Sequence, residues 1–159
     1  MKYITDLFTN FIIISAASGW FIAQILKMLT GVFRLKKFTI AEFLFGTGGM
    51  PSSHTAAVCA AASASGIWFG LNSFQFAISG VLAMIVMRDA MGMRRQVGEH
   101  AKALNIIIKE LAEANKDPAL TIKALGELAG HTPLQVFAGA VVGILVPVGL
   151  RFIPVFTVV

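Results

Sequence analysis

The chain has 159 residues, 57% of them hydrophobic and 13% charged, with a formal net charge of +5 and one cysteine. A soluble domain carries about a quarter charged residues, so this composition excludes an ordinary water-soluble fold. The length holds a single domain, residues 1–159, and the lone Cys59, set in an Ala-rich apolar run, excludes an intrachain disulfide and reads as a small buried residue.

Leu7–Leu26 is uncharged over 20 residues. That is about what crosses a hydrocarbon core, and it predicts a first helix ending at Lys27. A cleaved signal peptide fits less well, because Lys2 and Asp6 leave no positive n-region and the run is long for an h-region. The next run, Phe43–Met87, has 45 residues without Asp, Glu, Lys or Arg. It is too long for one helix, and Gly70-Leu71-Asn72-Ser73 is a turn signal inside it. A helical hairpin is therefore expected, over about Ser52–Phe69 and Ser73–Met87.

Between Arg88 and Glu127 the chain carries seven Lys/Arg and six Asp/Glu. Leu104, Ile107, Ile108 and Leu111 recur at helical spacing, with Lys102, Lys109 and Glu113 on the other side, so this helix is amphipathic. Asp117-Pro118 ends it, and a short helix over about Ala119–Leu128 follows. The pair reads as membrane-surface or packing helices. His100 falls on it as a surface residue. Leu128–Leu150 is again uncharged. Thr132-Pro133 starts its helix with a capping hydroxyl and a proline that has no amide hydrogen to satisfy. Pro147 is expected to kink that helix or end it early. Gly66/Gly70 and Gly139/Gly143 have the small-xxx-small spacing that permits close helix packing. The fold class is all-α: an integral membrane helical bundle of about four membrane helices, with amphipathic helices on one face.

This order of elements puts 11 of the 13 Lys and Arg on one side. By the positive-inside rule that side, carrying residues 28–50 and 88–131, is cytoplasmic, and the 71–72 turn and the C-terminus are external. A cell-membrane, multi-pass location follows. The basic charge thus answers to a membrane, and nucleic acid is set aside as a partner. Lys27, Arg34, His54, Arg94, Arg95 and His131 all fall at one depth. So does the stretch GGMPSSH, residues 48–54, whose polar groups hydrocarbon does not tolerate. Lys and Arg neutralise phosphate oxygens, and Gly-rich backbone at a helix N-terminus donates amides to an oxyanion. One histidine can attack phosphorus while another protonates the leaving oxygen. The pattern therefore suits phosphoryl transfer. No carboxylate cluster suits a hard cation, and the histidines lack zinc spacing, so no metal and no cofactor are expected.

These residues resemble the type 2 phosphatidic acid phosphatase and vanadium haloperoxidase superfamily, whose motifs are Lys-x6-Arg-Pro, Pro-Ser-Gly-His and Ser-Arg-x5-His-x3-Asp. Lys27 and Arg34 have the first spacing, with Leu35 in the proline's place. PSSH, residues 51–54, is similar to the second, with Ser53 in place of glycine. HTPLQVFAGAVVG from His131 resembles the tail of the third. GGMPSSHTA, RDAMGMRRQVGEHA and GHTP together look most like the compact bacterial and plant branch of divergent members. The resemblance extends over nearly the whole chain. It departs where the family's orienting Asp is Gln135 and its Arg is Leu125. Arg94-x5-His100 also has the Arg–His spacing but lacks the residues that follow.

The resemblance implies His131 as nucleophile and His54 as the acid for the leaving group. It implies phosphate binding by Lys27, Arg34, Ser52, Ser53 and Arg94 or Arg95, with Asp89, Glu127 or Gln135 orienting the imidazole. The expected activity is hydrolysis of a phosphate monoester or pyrophosphate on a lipid or polyprenyl phosphate, through a phosphohistidine. A non-catalytic lipid-phosphate binder or transport component that kept the pocket is the alternative. Vanadate-dependent peroxidase chemistry is the remoter analogy. Expected partners are that amphiphile and the surrounding membrane lipids, with a homo-oligomer also allowed for.

Overall fold

The computed structural model describes residues 2–32, 49–115 and 131–154. Among the described residues there are six helices and no strand. They are α1 (Lys2–Phe8), α2 (Phe11–Val32), α3 (Ser53–Phe69), α4 (Phe74–Met91), α5 (Met93–Asn115) and α6 (Pro133–Leu150).

The first apolar run is split rather than continuous. Asn10 takes the amides of Ile12 and Ile13 on its Oδ1 at 3.0 and 3.2 Å, which starts α2 at Phe11, inside the run, instead of at its first residue Leu7. The helix also passes Lys27, where the sequence predicts its end, and is described as far as Val32. No proline interrupts KMLTGV, and a lysine by itself does not break a helix. The hairpin follows the sequence closely. Ser52 caps α3, Gly70 closes it at φ 86°, and Ser73 caps α4. α6 starts at the expected Thr132-Pro133. Pro147 does not end it early, and the helix runs on to Leu150 with Pro147 buried. The short helix expected over about 119–128 lies outside the described residues.

α3 is the axis of the bundle and packs against α6, α2 and α4. Its inward residues are small: Ala56, Cys59, Ala60, Ala62, Ala64 and Ser65 are buried. Small side chains let backbones touch. A Cβ on Gly139 would stand 2.5 Å from the Ser52 carbonyl oxygen, and one on Gly143 would stand 2.5 Å from that of Ala56. The Gly139/Gly143 pair therefore sets the α3–α6 approach. Gly66 differs, because a Cβ there would meet the Leu71 and Phe76 side chains at 3.0 Å, so its smallness admits the hairpin turn.

The large apolar residues point outward. Phe137 is 67% exposed, Leu145 62% and Ile85 60%, while the largest fully buried side chains among the described residues are Thr55, Pro147, Ser15 and Ser52. A surface so apolar around a core so small is that of a protein solvated by lipid. Three helical stretches, Phe11–Thr30, Phe74–Leu111 and Pro133–Leu150, are long and apolar enough to cross a membrane. The chain is a helical membrane protein. α3, at 17 residues, spans about 26 Å and is the helix these surround.

The two ends of the bundle differ. Phe11 stacks on Trp68 at one end, with ring centroids 5.4 Å apart, and exposed Tyr3, Phe8, Phe69, Phe74 and Phe152 belong to the same end. Aromatic side chains of this kind collect at a membrane–water boundary. Polar groups collect at the other end.

Candidate functional site

Three hydrogen bonds between elements join the helices at the polar end. The Thr30 hydroxyl, in the last turns of α2, donates to the Met50 carbonyl at 2.7 Å. The Ser52 amide, at the start of α3, donates to the Gln135 carbonyl in the first turn of α6 at 3.0 Å. The His131 amide donates to the Ala90 carbonyl near the end of α4 at 3.2 Å. The Gly-rich loop before α3 is thus held from both sides.

Lys27 is half-buried and lies across Gly49. A Cβ on Gly49 would come within 3.1 Å of Lys27 Cγ and Cε, and Gly49 has φ +85°, which L side chains rarely adopt. One glycine therefore gives the loop its turn and gives the lysine its path. Ser52 caps α3 from a buried position. Its Oγ accepts from the Thr55 amide at 3.4 Å and from the Thr55 hydroxyl at 3.0 Å. Ser53 and Thr55 are buried too, while His54, in the same turn, is exposed. The first turn of α3 presents the positive end of a helix dipole beside the Lys27 side.

α6 opens with a capping box. Thr132 Oγ1 accepts from the Gln135 amide at 3.4 Å, and Gln135 Oε1 accepts from the Thr132 amide at 2.8 Å. The same Oε1 lies 3.3 Å from His131 Nδ1. An amide oxygen beside Nδ1 favours the tautomer with its proton there, which leaves Nε2 with a lone pair.

Of the residues picked out by sequence, Lys27, Ser52, Ser53, His54, Asp89, His131 and Gln135 come to this one end, Asp89 as the neighbour of Ala90. Arg94 and Arg95 occupy the first turn of α5, just past α4, and their side chains lie outside the described residues, as do Arg34 and Glu127 altogether. His100 is exposed on α5, away from the first turn. Sequence reasoning missed Thr30 and Thr55. Thr30 follows Lys27 by three residues, so helical spacing alone could have placed it on the same side. An open apolar groove of about 830 Å³ lies elsewhere, between Trp20, Phe21, Leu145 and Val146 of α2 and α6. It holds none of the residues of the polar end, and its lining on α2 lies five or more residues from Lys27.

A model of the Divergent PAP2 family matches residues 8–146. A Bacillus subtilis (strain 168) protein described as the uncharacterized membrane protein YuiD is 36% identical over 155 residues, covering 92% of this chain and 98% of that protein. No solved structure matches. The matched span runs from the start of α2 through most of α6 and so includes the whole polar end, and on that extent of similarity the chain belongs to the Divergent PAP2 family.

Proposed function

We propose that the polar end binds the phosphate of a membrane amphiphile and hydrolyses its monoester or pyrophosphate bond through His131. The observation that carries this reading is the pairing of His131 Nδ1 with Gln135 Oε1 at 3.3 Å, at the end where Lys27 crosses Gly49. Lys27, Arg34, Arg94 and Arg95 neutralise the phosphate oxygens, and the first turn of α3 at Ser52 and Ser53 contributes the positive end of its helix dipole. His131 Nε2 attacks phosphorus, so a P–N bond forms as the P–O bond to the leaving group breaks. His54 gives that oxygen its proton. Water, deprotonated by His54, then attacks phosphorus, releases phosphate and restores both imidazoles. Asp89 or Glu127 is the carboxylate that stabilises the imidazolium in this scheme. The substrate is a lipid or polyprenyl phosphate, and the site opens at the cytoplasmic face of the cell membrane by the charge bias of the loops.

A second reading keeps the pocket without the chemistry. Gln135 Oε1 is shared with the Thr132 amide and is neutral, so it stabilises an imidazolium less than a carboxylate would. This favours a lipid-phosphate binder or transport component. The reconstituted chain assayed for phosphate release from a panel of lipid phosphates decides between them. Hydrolysis lost in His131→Ala, with binding retained, supports the enzyme. Saturable binding with no hydrolysis of any substrate supports the binder.

A further inference from the structure

We infer that α5 lies in the headgroup–acyl boundary of the bilayer, with its uncovered apolar flank against lipid. Helix length is the first argument. α4 has 18 residues, about 27 Å, which uses up a hydrocarbon core of about 30 Å. The helical segment Phe74–Leu111 continues through Gly92 into α5 for 38 residues, about 57 Å, and carries charges from Arg88 onward, so its second half cannot share the same crossing. The aromatic end of the bundle marks one boundary at the start of α4. The end of α4, where Gly92 turns the chain into α5, therefore marks the other.

The second argument is the distribution of side chains around α5. One flank is covered by the protein itself: Gly98 and Ala101 are buried, and Asn105 and Ile108 are half-buried. The adjoining flank is apolar and uncovered, with Val97, Leu104, Ile107 and Leu111 between 48% and 52% exposed. The far side carries Lys102 and Lys109, exposed and each 3.9 Å from a glutamate, Glu99 and Glu113 respectively. A helix divided in this way, attached to a membrane-spanning bundle at the level of the boundary, meets lipid on one flank and water on the other. Embedded there, α5 starts at headgroup height, next to the Ala90–His131 contact. This inference does not depend on the activity proposed above.

The test uses the full chain in phosphatidylcholine–phosphatidylglycerol liposomes, with a fluorescent label on single cysteines at Leu104, Leu111, Lys102 and Lys109. The native Cys59 is buried and stays unlabelled in folded protein. Quenching by lipids that carry a nitroxide near the headgroup is expected to be at least about threefold stronger at Leu104 and Leu111 than at Lys102 and Lys109, with aqueous iodide giving the reverse order. Three outcomes overturn the inference. Equal iodide access at all four sites places α5 in water. Stronger quenching at Leu104 by mid-chain than by headgroup nitroxides places it across the core. Protection of Leu104 and Leu111 from both quenchers places them against a second copy of the chain.

Discussion

Gln135 serves two groups with one oxygen: its Oε1 lies 3.3 Å from His131 Nδ1 and accepts the Thr132 amide at 2.8 Å. The side chain that meets the histidine ring is therefore also the one that closes the capping box of α6. Gln135→Glu keeps the length and adds the charge. Under the proposed mechanism it is expected to raise turnover by about 10- to 100-fold, since loss of an orienting carboxylate elsewhere costs about 10⁴. Gln135→Leu should lower turnover and reduce stability by about 1 kcal/mol through the lost cap. Phosphate-release kinetics and thermal unfolding separate the two effects. Unchanged kinetics in Gln135→Glu would remove the residue from the mechanism.

Backbone contact between α3 and α6 gives a second expectation. Gly143→Ala would push a Cβ to 2.5 Å from the Ala56 carbonyl and 2.6 Å from Cys59 Cβ. Overpacking of this kind costs about 1–3 kcal/mol. Gly80→Ala, on a stretch of α4 with nothing within 4 Å, is the control and should be neutral or stabilising by up to about 1 kcal/mol. Unfolding midpoints of the two variants in the same detergent should move in different directions or by clearly different amounts.

The buried Ser52–Thr55 pair gives a third. Ser52→Ala removes the cap of α3 and leaves the buried Thr55 hydroxyl without the acceptor it has at 3.0 Å. A loss of about 1–2 kcal/mol is expected, and Ser52→Ala/Thr55→Val should recover part of it by removing the orphaned hydroxyl. If the double variant is as destabilised as the sum of the singles, the pair is not coupled.

Orientation gives a fourth. With the polar end in the cytoplasm, a cysteine at Asn72 should react with an impermeant reagent added to intact cells, and one at Lys102 should react only after lysis. The opposite pattern would invert the bundle and leave the geometry of the polar end untouched.

The parts of the fold that were legible in the sequence are those controlled locally. The hairpin break at residues 71–72, the helix starts near Ser52 and Ser73 and the Thr132-Pro133 start each depend on a few adjacent residues, and each stands where the sequence puts it. The misplaced boundaries depend on competition. Asn10 captured two amides and cut the first run short, while nothing beyond Lys27 opposed helix propagation. At the polar end, residue types announced Lys27, His54 and His131, because ionisable groups are rare at membrane depth. Thr30 and Thr55 carry no charge, and their importance lies in partners 20 and three residues away that only folding brings into register.

The glycine contacts of α6 also fix its azimuth. With Gly139 and Gly143 facing the α3 carbonyls, a turn of the helix about its own axis would drive neighbouring side chains such as Ala140 or Phe137 into backbone, where no rotamer change can make room. His131 sits at the head of that shaft and inherits its heading. Its amide is also tied to the Ala90 carbonyl at 3.2 Å, so the backbone that carries the imidazole is held to α4 as well as to α3, and only the side-chain torsions are left to re-aim the ring.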